Sequence, residues 1–178
     1  MADRPANLEC TRLDTELVAQ AMRVLELCQA RDLHVVTAES CTGGLVAGVL
    51  TEAPGASKVV EGGFVTYSNR AKHDVLNVPE ELLARHGAVS EPVARAMADG
   101  ALQETPDADL AVATTGIAGP GGGSEGKPVG LVHFAGARRG GARLHRECRF
   151  GDIGRGAVRR ASIVVALEIL EELAQAVR

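Results

Sequence analysis

Ser40 sits in Ala38-Glu39-Ser40-Cys41-Thr42-Gly43-Gly44, a stretch in which a hydroxyl is followed by a glycine pair. His34-Val35-Val36-Thr37-Ala38 before it reads as a short buried strand. Leu45 to Leu50 after it reads as a small-residue helix, stopped before Pro54. A strand, a tight polar turn and a glycine-opened helix place a hydroxyl beside helix N–H groups that have no intrahelical partner. A nucleophile there finds a ready oxyanion site, each good donor being worth about 3 kcal/mol. The same residues serve equally well as helix caps, with Ser40 and Thr42 accepting from the first turn. The spacing is not that of the G-x-S-x-G elbow.

A serine without a histidine at a recognisable spacing needs another base, and a desolvated lysine can serve. Tyr67-Ser68-Asn69-Arg70-Ala71-Lys72 offers one, and Tyr67 is the chain's single tyrosine. A helix beginning near Asn69 puts Lys72 on its first turn, on a face shared with the end of the preceding strand. A solvated surface lysine is the alternative, and His73 reads as a surface residue. Cys41 is a rival nucleophile, but no His or Glu stands at a spacing that would activate it.

Thr114 to Lys127 carries Gly116, Gly119, Gly121, Gly122, Gly123 and Gly126. It follows a buried strand, Leu110 to Thr114, which could set it at the same sheet end as the Ser40 turn. Backbone N–H groups in such a loop can wrap a phosphate or ribose; a flexible surface loop is the plainer reading. It is neither a Walker loop nor a G-x-G-x-x-G fingerprint. Gly151-Asp152-Ile153-Gly154-Arg155, with Arg159 and Arg160, starts the last helix with guanidinium groups. These suit a phosphate or a solvated helix face.

The elements that must carry these residues follow from periodicity. Thr15 to Gln29 is expected to be a helix with Val18, Ala21, Met22, Leu25 and Cys28 on its apolar face. Val59 to Tyr67 reads as a strand with a glycine kink, Ala71–Leu76 and Pro79–His86 as short helices. A Ser90-capped helix should reach about Leu102. Val129–Ala135 and Arg143–Phe150 read as adjacent strands joined at Gly140-Gly141. A last helix from Gly154 to Ala176 should line one face with Val158, Ala161, Val165, Ile169 and Leu173, and Ile163, Val164, Leu167 and Leu170 widen that stripe so that its middle is well buried. Helices alternating with strands, then clustered strands, predict an α/β three-layer sandwich with a mixed, mostly parallel sheet.

The chain has 178 residues, 46% hydrophobic and 24% charged, with a mean hydropathy of +0.05. That excludes a disordered or fibrous chain and fits one domain over 15–178, after a flexible lead over 1–14. Aromatics at 2%, with no tryptophan, exclude a base-stacking nucleic-acid binder. A net charge of −4 excludes a phosphate-backbone partner. The four cysteines form no CxxC pair, so neither a metal site nor a disulfide framework is expected. No signal peptide or membrane span is legible, and a cytoplasmic location with no membrane partner is expected. Small-residue and apolar helix faces are compatible with a homodimer or higher homo-oligomer.

Together these segments resemble the CinA C-terminal domain family, whose enzymatic members are nicotinamide-nucleotide amidases of the PncC type. The matching stretches are Thr37–Gly44, Gly63–Asn69, His86–Ser90, Thr115–Pro120 and Lys127–Gly130, in the family's order from Thr15 to Ala174. Thr114-Thr115 departs locally from a serine that is common there. The resemblance implies a three-layer α/β/α domain that hydrolyses the carboxamide of nicotinamide mononucleotide to nicotinate mononucleotide and ammonia, without a cofactor or metal. It implies Ser40 as nucleophile, Lys72 as its base and Tyr67 as a hydroxyl assisting proton transfer. Thr42, Gly43, Asn69, Gly116, Gly119, Gly121 and Arg159 are the implied substrate-binding residues. The family also forms the second half of longer proteins linked with competence and DNA damage, and this chain looks like the stand-alone form. The other reading is a non-catalytic nucleotide-binding regulatory module, which has no need of Ser40 and Lys72 together.

Overall fold

The computed structural model describes residues 14–176. The lead expected over 1–14 therefore lies, Asp14 apart, outside the described residues. Asp14 caps the first helix, α1 (Thr15–Gln29), its side chain accepting from Glu16 N at 3.0 Å. There follow β1 (Val35–Glu39), α2 (Leu45–Glu52), a short 3-10 turn (Ala56–Lys58) and β2 (Val60–Val65). Three helices come next, α3 (Asn69–Leu76), α4 (Glu80–His86) and α5 (Glu91–Glu104). The chain then runs through β3 (Leu110–Gly116), β4 (Leu131–Arg138) and β5 (Arg143–Arg149) into α6 (Arg155–Gln175).

The strands form one sheet in the order β2-β1-β3-β4-β5. β1 is parallel to β2 and to β3, while β4 is antiparallel to both β3 and β5. Four strands thus share one direction and only β4 opposes them, the mixed and mostly parallel sheet expected. Helices α1, α2 and α6 cover one face, where Val35, Val112 and Phe134 meet Val24, Leu50 and Leu167. The other face is lined by alanines, Ala38, Ala111, Ala113, Ala135 and Ala137, beneath Met97 and Ala101 of α5 and Leu76 of α3. A large side chain fully buried in either layer contributes about 1.5–3 kcal/mol.

Three expectations shift. α1 buries Leu17, Gln20 and Val24 with Ala21, Leu25 and Cys28, and leaves Met22 40% exposed. α6 buries Ile163, Leu167 and Leu170 as expected, but adds Ser162 and Ala166 to that face and leaves Ala161, Val164 and Val165 only half-buried. Ser162 tolerates this because its hydroxyl donates to Val158 O at 2.8 Å. β2 ends at Val65 rather than Tyr67, since the Thr66 carbonyl is taken by a side chain. Among the described residues no helix is long and apolar enough to cross a membrane.

Candidate active site

Parallel β1 and β3 end side by side, so the turn after β1 and the glycine loop after β3 meet at one sheet edge. Ser40 N donates to Thr114 O at 3.0 Å, fixing the serine to the end of β3. Ser68 caps α3, its hydroxyl accepting from Ala71 N at 3.0 Å. That start places Lys72 in the first turn, facing inward. Its Nζ lies 3.0 Å from Ser40 Oγ and donates to Thr66 O at 2.7 Å. Lys72 has no exposed surface, and burial pushes its pKa down to about 8. An amine so placed is neutral often enough near neutral pH to accept the Ser40 proton.

Glu39 stood in the serine motif without a role, and the structure gives it one. Its buried carboxylate accepts from Gly44 N and Val46 N through Oε2 at 3.0 Å each, and from Ala47 N through Oε1 at 2.8 Å. The α2 amides expected to face an oxyanion are therefore occupied by Glu39, which corrects that expectation. The signal was available: a carboxylate ends an otherwise apolar strand just ahead of a helix N-terminus.

Thr42, Gly43 and Arg159 do not line the cavity. Thr42 Oγ1 pairs with Thr114 Oγ1 at 2.7 Å, and Arg159 Nη2 donates to Thr42 O at 2.7 Å. Gly43 has φ +62°, and a Cβ there would stand 3.2 Å from Arg159 Nη2. The three lie behind the serine turn, outside the cavity lining. Asn69 is exposed and lines a separate groove with Arg70, His73 and Asp74.

The cavity itself has a volume of about 260 Å³. Ser40, Cys41 and Lys72 line it together with Gly116, Gly119 and Gly121, as the loop argument expected. Gly116 is required by close approach: a Cβ would stand 2.7 Å from Val132 Cγ2 and 2.8 Å from Leu131 O. Ala88 and Val89, ahead of α5, form a wall that the sequence motif contained without an assigned role. Thr115 Oγ1 ties that wall to β3 by donating to Ala88 O at 2.8 Å. Tyr67 lines the rim at 60% exposure, and its hydroxyl accepts from Arg155 Nη2 at 3.0 Å instead of meeting Lys72. Arg155, not Arg159, is thus the guanidinium at the cavity.

Among the described residues two basic side chains, Lys72 and Arg155, line this cavity, and no carboxylate does. The arrangement suits an anionic ligand whose reacting group reaches a serine hydroxyl beside a buried amine. Burial pushes the Cys41 thiol up to about 11, opposite to the shift a thiolate nucleophile needs. Among the described residues no group of three or more His, Cys, Asp or Glu side chains could hold a metal ion.

Known proteins place this geometry in a family. The CinA C-terminal domain model matches residues 18–174. The chain is 54% identical over 158 residues to the nicotinamide-nucleotide amidohydrolase PncC of Escherichia coli (strain K12), covering 88% of this chain and 94% of that protein. It is 51% identical over 148 residues to a CinA-like protein of Parasynechococcus marenigrum, covering 83% of this chain and 35% of that longer protein. The crystal structure of the competence/damage inducible protein CihA from Agrobacterium tumefaciens superposes with a TM-score of 0.90 at 52% identity, covering 93% of this chain and 99% of that one. With its strand order, its serine turn and its glycine loop, the chain belongs to the CinA C-terminal domain family.

Proposed function

We propose that this protein hydrolyses the carboxamide of nicotinamide mononucleotide, giving nicotinate mononucleotide and ammonia. The observation that carries the reading is the buried Lys72 amine, 3.0 Å from Ser40 Oγ on the floor of an acid-free cavity. The amidohydrolase named among the relatives supports the choice of substrate.

Ser40 Oγ attacks the carboxamide carbon while its proton passes to Lys72. The ammonium so formed lies beside the new negative charge and stabilises it, a task the Glu39-occupied α2 amides leave open. Collapse breaks the C–N bond, and Lys72 returns the proton to the departing nitrogen, which leaves as ammonia. Water then attacks the acyl-serine, giving one proton to Lys72, which passes it to Ser40 Oγ as the C–O bond breaks, and the carboxylic acid formed loses its remaining proton to solvent. Tyr67 assists that proton transfer, and Arg155 receives the 5′-phosphate through its planar fork of donors.

Ammonia release from nicotinamide mononucleotide, its riboside and free nicotinamide tests the reading. The mononucleotide should be hydrolysed at least about a hundredfold faster than the other two, the scale of a lost charged contact. Ser40→Ala should abolish turnover. Equal rates on all three would remove the anion's role, and nucleotide binding without ammonia would favour the non-catalytic module.

A further inference from the structure

One side chain bridges the cavity mouth. Arg155, the first residue of α6, donates from Nη1 to Gly119 O at 3.1 Å and from Nη2 to the Tyr67 hydroxyl at 3.0 Å. Both acceptors are neutral. Among the described residues no carboxylate pairs with Arg155, whereas Arg143, Arg146, Arg149 and Arg160 each meet one. A dianion offers the guanidinium a countercharge and paired acceptor oxygens in its own plane, which two separate neutral acceptors lack, so it can displace them. Two other seats for an anion are already engaged. Lys72 is engaged on the floor by Ser40 and Thr66, and the α2 N-terminus is filled by Glu39. Tyr67 directly follows Thr66, whose carbonyl holds Lys72, so the ring is attached beside the reacting pair while its hydroxyl is held at the rim.

We infer that an incoming phosphate takes the Arg155 guanidinium and thereby releases the Tyr67 hydroxyl to turn toward Ser40 and Lys72. Arg155 is then a specificity-determining residue that couples anion recognition to the proton-transfer machinery. This rests on the amidase reading. A ligand shifts an equilibrium by its differential affinity for the two states. The phosphate binds only the open bridge, so part of its binding energy appears in turnover rather than in affinity alone. A riboside reaches the same floor but leaves the bridge closed.

The molecule supplies its own probe, because Tyr67 is the sole tyrosine and there is no tryptophan. Inorganic phosphate, titrated against chloride at matched ionic strength, should change tyrosine emission saturably in the unaltered protein and not in Arg155→Ala. The same phosphate should raise kcat on nicotinamide riboside about tenfold, the effect of about one modest hydrogen bond gained in the transition state. In Tyr67→Phe phosphate should still compete with the mononucleotide, but the activation should vanish. Emission that ignores phosphate, or responds equally in Arg155→Ala, overturns the exchange, as does activation that survives in Tyr67→Phe. Ammonia from the mononucleotide without an emission response refutes the exchange alone. An emission response without any ammonia supports the exchange and refutes the amidase.

Discussion

A lysine that takes a proton from Ser40 works only when neutral, and burial sets the Lys72 pKa at about 8. kcat/KM should therefore climb with pH and level off above about 8, with Lys72 as the group that titrates in the free enzyme. Lys72→Arg keeps a cation but removes the base, so it should lose at least about a thousandfold in kcat while nucleotide binding by calorimetry persists. The same burial has a stability signature. The unfolded chain holds this proton up to 10.5 and the folded one only to about 8, so stability rises with pH across that window. Relative to Lys72→Met, the unaltered protein should gain about 3 kcal/mol between those limits in urea melts at stepped pH. A flat difference would mean that the amine is not desolvated. Ser40 and Lys72, which the structure sets 3.0 Å apart, could be picked out as candidates from the sequence because each stands beside a recognisable element boundary. It could not separate Arg155 from Arg159, because residues four apart share a helix face and only the fold decides which one reaches the cavity.

Element boundaries were legible to within a few residues, because caps, glycines and prolines mark them. The exact buried face of a helix was not. α1 carries apolar side chains around most of its circumference, so the 3.6-residue period fits two adjacent stripes, and contact with α2 and α6 selects the one led by Leu17 and Val24. Ser162 and Ala166 fell outside the expected α6 stripe because small residues mark close approach rather than hydrophobicity. Glu39 was missed because its three backbone partners lie beyond the turn it precedes, a contact that exists only once α2 is folded back on β1. Glu39→Gln offers an amide where two N–H groups already converge. It should cost about 2–3 kcal/mol of stability and reduce kcat more than it raises KM, because the serine turn loses its anchor. Unchanged melting with unchanged kcat would show that the carboxylate is dispensable to α2.

At the scale of the molecule, the three-layer order could be read from the alternation of elements, while the long-range pairing could not, since no local pattern states that β1 lies between β2 and β3. The two sides of the sheet differ in depth. Large side chains fill one side, and alanines let α5 settle close against the other. The segment that leads into α5 is also the Ala88–Val89 wall, tied to β3 through Thr115. The alanine layer therefore works as a shim: its thickness sets how far one jaw of the catalytic cleft stands from the other. Ala113→Val, whose added methyls lie two residues before Thr115, should lift α5, cost about 1–3 kcal/mol, and raise KM for the mononucleotide while leaving the pH midpoint of kcat/KM in place. In this molecule the gauge of the cleft is machined into the core, out of a ligand's reach, and substrate fit can drift through substitutions that never touch the substrate.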